Sequence, residues 1–489
     1  MLLDDEIGFG LGTTVRDLRV AGVMTGSTPL TALEAFLLSH PSIGYIPPTS
    51  AEYVPTASRG WIAGINARPL AIVQPQSPAD VAALVKFAKS HAVPFTVRSG
   101  GHNLEGRSVV DGALLIDLRA LTAVTIAPDR QSATVQGGIL QGELASILWE
   151  EGLCTPTGSI PTVGYVGWAT YGGYGPFSSH WGLGVDQILE ATVVDANGEI
   201  IVADECHLRG IRGAGGIFGI IVDVTIRVYP LTKLLAGAII FDSSDIAQTI
   251  ITFNAAYEDL LNTEGLPPPV TLQQAALNSP HGRVFAVLFT WSHPDLGEGQ
   301  RWVEKISSLA PLLMSTVAPT TIPDWFAGNG ALVPESVYGS LQTHNIRRIN
   351  PVVAEMIGRN VASMPSDPGT MLSIHQLRGQ SAGEDASKLE HSVFATREPH
   401  YMLEILGCGT DEQNAGTSEE WAVKTAKEVA QVDEGNVVST AYVSLMRLAS
   451  MKPDEAVKKA FGTNAEVVRE LKERFDPENV FALALPALK

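Results

Sequence analysis

The spacing of apolar positions predicts a helix early in the chain. Residues 77–80, Ser-Pro-Ala-Asp, combine an N-cap serine, a first-turn proline and an aspartate that complements the positive end of a helix dipole. Apolar side chains then recur at positions 81, 84, 85 and 88, which is one face of a helix. The pattern predicts that this face is buried against a core.

Short β runs follow this helix and alternate with further helical stretches. A strand is predicted at Phe95–Val97, and it leads directly into the sequence Arg-Ser-Gly-Gly-His at 98–102. Two more strands are predicted at 114–118 and 133–136, with a helix near 142–151. Up to about residue 229, the chain therefore alternates between the two kinds of element.

The pattern changes after Pro230. From about 234 to 432, longer β runs at 284–289, 371–375 and 401–406 are separated by helical stretches. A helix predicted at 464–475 ends at Asp476-Pro477, because a residue before proline avoids the helical region. We predict one domain built from residues 1–232 and 435–489, with a second domain, 233–434, inserted between them.

Composition narrows the function classes. The 489 residues are 45% hydrophobic and 17% charged, as in globular proteins, and the net charge of −19 disfavours nucleic acid and anionic membranes as partners. No stretch of about 20 apolar residues occurs. The acidic start, MLLDDEIGFG, is unlike a secretory signal, and the three cysteines lack metal-ligand spacing. We expect an intracellular protein without a metal site, with a secreted mature form left open.

Glycines concentrate in three segments, Gly158–Gly164, Tyr171–Gly175 and Gly213–Gly219. Glycine lets backbone amides approach a ligand closely and adopts positive φ without steric cost. Loops and bends are the alternative interpretation of each segment. Neither GxGxxG nor the Walker A motif occurs. A bound dinucleotide would therefore have its pyrophosphate held in another way.

One hydrolase motif matches, since Gly379–Gly383 fits GxSxG. A nucleophile elbow needs an acid and a histidine in well-separated loops. Here Asp385 and His391 follow almost at once, which disfavours a hydrolase.

Several ordered motifs together resemble the berberine-bridge-enzyme-like branch of the vanillyl-alcohol-oxidase flavoproteins. They are Val97–Asn103, Gly158–Gly175, Gly213–Gly219 and Phe475–Phe481. The resemblance implies an α+β fold with a two-subdomain FAD-binding domain. The inserted domain would bind substrate, and its antiparallel sheet would cover the flavin.

The resemblance also implies how FAD is held. His102 matches the histidine bonded to the flavin 8α-methyl group. Many relatives add a cysteinyl bond, but that position is Ile160 here, and Cys154 is not a substitute, so we predict a single covalent link. Besides His102, the predicted cofactor-binding residues are Arg98, Ser99, Gly100, Gly101, Asn103, Ser108, Ser159, Pro161, Thr162, Val163, Gly164, Trp168, Gly172, Gly173, Gly175, Gly219, Ile220 and Ile221.

Three residues are predicted to be catalytic: Glu404, Tyr442 and Tyr174. Glu404 matches a glutamate or glutamine of the family, and strand alternation puts it opposite Leu403. A glutamate that faces the flavin could accept a proton with a raised pKa, although a solvated strand carboxylate is the alternative. Tyr442 matches a candidate base, with Ser444 where relatives have asparagine. Tyr174 matches a tyrosine beside the flavin ring, and a packing role is its alternative.

Three neighbouring positions bear on the reaction. Trp168 and Tyr171 stand where relatives have histidine and glycine, so the pocket is predicted to differ in shape. Val163 matches the position that controls oxygen access, and valine there is the oxidase version.

The leading hypothesis is an oxidase of a small or medium organic alcohol, phenol or amine. Hydride would pass to the flavin, O2 would reoxidise it to H2O2, and the role would lie in secondary metabolism. A flavoprotein cyclase without net redox chemistry and an inactive binding protein are the alternatives. The oligomeric state stays open.

Overall fold

The structure is a computed structural model that describes residues 28–383, 390–448, 451–484 and 486–488. The acidic start of the chain lies outside these ranges, as does Asp385 of the hydrolase alternative.

Helices and strands alternate through the described ranges. The α-helices are α1 (Pro29–Leu38), α2 (Tyr53–Ala57), α3 (Pro78–Ser90), α4 (Gln141–Glu150), α5 (Tyr165–Thr170), α6 (Ser178–Trp181), α7 (Gly184–Gln187), α8 (Glu205–Ala214), α9 (Ile246–Thr263), α10 (Leu296–Ser307), α11 (Ile322–Gly330), α12 (Pro351–Ala362), α13 (Glu412–Val432), α14 (Pro453–Phe461) and α15 (Ala465–Phe475).

The strands are β1 (Gly44–Ile46), β2 (Ala71–Gln74), β3 (Phe95–Arg98), β4 (Leu114–Asp117), β5 (Val124–Ile126), β6 (Ser132–Gln136), β7 (Leu153–Cys154), β8 (Ile188–Val194), β9 (Ile200–Val202), β10 (Ile220–Arg227), β11 (Tyr229–Pro230), β12 (Leu234–Phe241), β13 (Val270–Ser279), β14 (Gly282–Trp291), β15 (Leu312–Ser315), β16 (Ala318–Thr320), β17 (Tyr338–Ile346), β18 (Met371–Leu377) and β19 (His400–Gly409).

The first sheet has the order β1-β2-β4-β3, with β4 parallel to both β2 and β3. Helix α3 connects β2 to β3, and its predicted start is confirmed, since the Ser77 side chain accepts from the Asp80 amide. Val81, Leu84 and Val85 are buried in the core of this sheet. Phe481, near the other end of the chain, packs edge-on against Phe95, so both chain ends build this layer.

The second sheet is antiparallel, with the order β5-β6-β10-β8-β9. Helices α4, α5 and α8 cover it, and the buried Leu144, Tyr165 and Ile211 fill the space between helices and strands. The glycine segments flank these helices: residues 158–164 precede α5, residues 171–175 follow it, and residues 213–219 join α8 to β10. The two sheets and their helices are the two subdomains that the resemblance implies.

The third sheet is the largest and runs antiparallel in the order β15-β12-β14-β13-β18-β19-β17. Helices α9, α12 and α13 pack on one face through Phe253, Ile357 and Trp421. We call the opposite face the roof, because it closes the cavity described below. The α+β prediction is confirmed, while the domain limits at 232/233 and 434/435 stay predictions.

The alternation predicted for β19 is confirmed. Leu403 and Ile405 are buried in the helix-covered core, whereas Met402 and Glu404 face the roof side. Side chains of an antiparallel strand alternate between faces, so one face can be packed while the other is left for binding.

A buried ion pair joins β3 to β4 at the end that carries His102. Arg98 and Asp117 are register partners, with Nη2 and Oδ2 2.8 Å apart and both side chains almost fully buried. The guanidinium also donates to the carbonyl oxygens of Thr56 and Arg59. The pair therefore ties α2 and its following loop to the first sheet.

Replacing one partner of this pair should destabilise the protein. Asp117→Asn leaves the Arg98 charge buried without compensation, which costs about 3–5 kcal/mol. We expect a lower midpoint of urea unfolding, followed by tryptophan fluorescence.

The matched control is Glu151→Gln, which breaks the half-exposed Arg130–Glu151 pair. Such exposed pairs contribute about 0–1 kcal/mol. Equal midpoints for the two variants would contradict a structural role for the buried pair.

Candidate active site

A cavity of about 490 Å3 lies between the first two sheets and the roof. Its volume is in the range of cofactor and small-ligand sites. Four segments supply most of its walls: 95–108, 158–174, 216–221 and 442–448. Gln273, Met371, His375, Glu404 and Leu406 line it from the roof strands. The site is thus assembled from all three sheets.

The floor depends on contact between two glycine loops. A Cβ on Gly100 would collide with the backbone amide of Gly164 and lie 2.7 Å from the Thr162 carbonyl. Gly101 adopts φ +73°, which only glycine does at little cost. Glycines are needed here so that the chain after β3 can turn back toward the 158–175 segment and present His102 to the cavity.

His102 is held in a neutral form. Its Nε2 lies 2.9 Å from Thr162 Oγ1, and its ring stacks at 6.0 Å on that of Trp61. Burial lowers the pKa of His102 to about 4. The imidazole is therefore uncharged at neutral pH and keeps a lone pair for bond formation.

The residues present fit a polar cofactor such as FAD. Among the described residues, Ser99 Oγ and Gln141 Nε2 are buried without a hydrogen-bond partner, and both residues line the cavity. Buried polar groups in native proteins are almost always hydrogen-bonded. A ligand that offers several acceptors and donors along this wall would satisfy both.

Most of the predicted cofactor-binding residues line the cavity. They are Ser99, Gly100, Gly101, His102, Asn103, Ser108, Ser159, Val163, Gly164, Trp168, Gly219, Ile220 and Ile221. The three predicted catalytic residues line it as well.

Arg98 is not among the residues that line the cavity. Its side chain is buried in the pair with Asp117 at the end of β3. Pro161, Thr162, Gly172, Gly173 and Gly175 are also absent from the lining.

Three of these five residues make close contacts around the cavity wall. Thr162 contacts His102, and a Cβ on Gly175 would collide with the Thr157 carbonyl. A Cβ on Gly172 would approach the Tyr442 ring to 3.0 Å. Their glycines therefore permit close packing of the loop.

No cysteine lines the cavity in the part of the chain that the structure describes, which contains Cys154, Cys206 and Cys408. Ile160, at the position predicted to lack a thiol, is part of the wall. Cys154 is buried in β7, and burial raises the pKa of its thiol.

The two unusual aromatic residues both reach the cavity. Trp168 donates from Nε1 to the Tyr174 carbonyl oxygen at 3.1 Å. Tyr171 packs against Gly215, where a Cβ would collide with the phenol ring. Because residue 215 is glycine and has no side chain, the Tyr171 ring can occupy the adjacent space.

On the roof, Glu404 pairs with His375, and their Oε2 and Nε2 atoms are 3.3 Å apart. Burial raises the pKa of Glu404, but the coulombic attraction and hydrogen bond of His375, with a hydrogen bond from Ser373, outweigh burial and lower the pKa below its ordinary value. The expectation of a raised pKa is therefore wrong, because it took no account of a histidine on the adjacent strand.

Two tyrosines complete the site between floor and roof. The Tyr174 hydroxyl donates to His400 Nε2 at 2.8 Å, since His400 Nδ1 lies 2.7 Å from the Glu398 carbonyl. The rings of Tyr174 and Tyr442 are 5.0 Å apart. Burial raises the pKa of Tyr442 to about 12, despite hydrogen bonds from Ser444 and Gly173. Both groups are neutral phenols near pH 7.

The sequence prediction missed the roof residues other than Glu404. His375 lies on a strand that was predicted at 371–375, and it alternates with the buried Leu372 and Ile374. The same two-residue period that places Glu404 would have singled out His375. Gln273 and Trp61 carry no such signal, because their partners are distant in sequence.

Comparisons with known proteins agree with this site. Residues 69–204 match the FAD binding domain family, and residues 430–486 match the family described as berberine and berberine like. The FAD-linked oxidoreductase aurO of Gibberella zeae is 30% identical over 421 residues, covering 85% of this chain and 80% of that protein. The (R)-6-hydroxynicotine oxidase of Paenarthrobacter nicotinovorans is 37% identical over 177 residues, covering 35% and 39%.

Solved structures share the fold. The 6-hydroxy-D-nicotine oxidase of Arthrobacter nicotinovorans superposes with a TM-score of 0.77 at 23% identity, over 91% of this chain and 97% of that one. The berberine bridge enzyme of Eschscholzia californica gives 0.76 at 18% identity, over 92% and 97%.

Fold and cavity define a flavoprotein oxidoreductase. The chain belongs to the berberine-bridge-enzyme-like FAD-linked oxidoreductases, and FAD is its cofactor. No helix among the described residues is long and apolar enough to cross a membrane.

The contact between the glycine loops predicts a defect in FAD binding. In Gly100→Ala, the new Cβ would push the His102 loop away from Gly164. We expect a lower ratio of flavin to protein absorbance in the purified variant.

The matched control is Gly416→Ala, in the exposed face of α13, where a Cβ meets no atom within 4 Å. It should retain its flavin. Full flavin content in Gly100→Ala would show that the loop contact is dispensable.

Proposed function

We propose that this protein is an oxidase of a small or medium organic alcohol, phenol or amine, with FAD bonded only to His102. The observation that carries the proposal is the position of His102, a neutral imidazole on the cavity floor, opposite the roof that carries Glu404. FAD, when bound, accepts a hydride from the substrate carbon and returns the two electrons to O2 as H2O2. A role in secondary metabolism is part of the proposal.

The local hydrogen bond of His102 supports a particular bonding atom. Thr162 occupies Nε2, so Nδ1 is the nitrogen that we propose for the bond to the flavin methyl carbon. Formation of that bond would release one proton from the His102 ring and one from the flavin methyl group, and the electron pair would go to dioxygen as the oxidant. A single link is supported by the isoleucine at 160, which lines the cavity, and by Cys154 not being among the lining residues.

Glu404 and Tyr442 remain the two predicted residues that could handle the substrate's proton. They differ in protonation, since Glu404 is ionised and Tyr442 is a neutral phenol. We therefore assign hydrogen-bond donation to Tyr442, which would orient a substrate oxygen or nitrogen, whereas the Tyr174 hydroxyl donates to His400 and would only accept a hydrogen bond from the substrate. Glu404, which is ionised, supplies the negative charge of the site.

The covalent link is tested first. Acid precipitation should leave the flavin with the protein, and the tryptic peptide Ser99–Arg107, which contains His102, should be heavier by one FAD less two hydrogens. His102→Ala should release its flavin into the supernatant, and the peptide that contains Ile160 should be unmodified in both. Flavin released from the unaltered protein would contradict the covalent bond, and a protein without any flavin would contradict the oxidase.

Reoxidation by O2 gives a separate prediction that needs no substrate. The photoreduced protein, mixed with aerated buffer, should return to the oxidised spectrum with one H2O2 per flavin. Val163→Leu should slow this step because the larger side chain leaves less space at the cavity wall for dioxygen to pass. The control Val352→Leu, at an exposed position, should not slow it. Slow reoxidation of the unaltered protein without peroxide would indicate a dehydrogenase or a non-redox flavoprotein.

A further inference from the structure

The roof carries a second acid–base group beside Glu404. His375 projects from β18 and Glu404 from β19, and both side chains line the cavity. They are 12% and 22% exposed, so the pair is shielded but open to a ligand.

The position of the Glu404 carboxylate favours the tautomer of His375 that is protonated at Nε2. Nε2 lies 3.3 Å from Glu404 Oε2 and 3.5 Å from Ser373 Oγ. An ionised carboxylate only accepts hydrogen bonds, so Nε2 carries the hydrogen. When this tautomer is neutral, its lone pair lies on Nδ1, and Nδ1 makes no hydrogen bond to any described residue.

A chain of polar side chains fixes this arrangement. Gln273 Nε2 donates to Ser373 Oγ at 2.8 Å, and the Ser373 hydroxyl hydrogen-bonds to Glu404. Glu404 thus receives hydrogen bonds from both Ser373 and His375. A carboxylate that accepts hydrogen bonds from two donors is a weaker base than a free carboxylate.

We propose that His375 is a catalytic base of this enzyme, acting through Nδ1 while Glu404 holds Nε2–H. The proposal rests on the proposed oxidase function. In the step, the O–H or N–H proton of the substrate moves to Nδ1. The electron pair of the adjacent C–H bond leaves as hydride to FAD, and a C=O or C=N bond forms. Glu404 stays ionised and stabilises the imidazolium, as an orienting carboxylate does in other histidine dyads.

The other groups around His375 add no opposing charge. The Tyr174 ring is 6.4 Å from the His375 ring, and Tyr442 interacts with Glu404. Burial raises the pKa of both phenols, so they stay neutral. Gln273 and Met402, the register partners on either side, are uncharged.

The kinetic test compares two histidines of the same sheet. His375→Gln should lower kcat/KM by about 10²–10⁴-fold with unchanged flavin content. The matched control is His344→Gln on β17, in register with Leu403 of the helix-covered face and hydrogen-bonded to the Ala426 backbone. It should retain near-normal turnover. Added imidazole should restore part of the activity of His375→Ala, which a purely structural role would not allow.

The pH profile separates His375 from Glu404 as the base. In the unaltered enzyme, kcat/KM should fall on the acid side, and this limb should vanish in His375→Gln. If Glu404 is the base instead, the variant should keep its rate and show the limb at higher pH, because the loss of the His375 partner raises the pKa of Glu404. That second result would overturn the proposal.

A measurement independent of turnover completes the test. In 15N NMR of the histidine-labelled holoenzyme, with His375→Gln identifying the resonance, the neutral ring should be protonated at Nε2. Protonation at Nδ1 would overturn the proposal. If the unaltered protein oxidises no substrate, the oxidase function fails instead, and the tautomer alone decides whether the dyad exists.

Discussion

The backbone contact between Gly100 and Gly164 is the constraint on which the site depends. It brings the end of a parallel β–α–β unit against the loop that leads into α5, a helix packed on the antiparallel second sheet, with no side chain between the two glycines. The two loops carry His102, Thr162 and Val163. Their mutual positions are therefore set by main-chain contact, which is stiffer than contact through flexible side chains.

The buried Arg98–Asp117 pair stabilises the same loop from the end of β3. It occupies the carboxyl end of β3, one residue before the loop begins. A buried pair of this kind costs desolvation and is retained where geometry matters, since its hydrogen bonds are directional. Here those bonds also reach the carbonyls of Thr56 and Arg59, which fixes the segment leading to Trp61 beside His102.

Local signals in the sequence account for much of the fold. The cap at Ser77 and the apolar stripe after it give α3, and the alternation of 401–406 gives the two faces of β19. These features depend on residues close together in the chain. The role of Arg98 could not be predicted in this way. Its partner, Asp117, is 19 residues away and comes within hydrogen-bonding distance only when β3 and β4 pair.

The candidate site likewise has one part that local motifs predict and another part that depends on strand pairing. The glycine loops and His102 form continuous motifs, so most of the residues of the cavity floor can be predicted from the sequence. The Glu404–His375 pair needs the register of β18 against β19, which no single segment contains. The wrong expectation for the Glu404 pKa has the same origin, since it treated the carboxylate as alone.

The two-faced roof sheet has a consequence for how such an enzyme can change. Met371, His375, Glu404 and Leu406 all project from strands whose other faces are already packed by helices. A substitution at these positions alters what the cavity recognises without opening the core or touching the floor loops. Substrate preference and cofactor attachment are thereby encoded in separate stretches of sequence, and the first can diversify while the second stays intact.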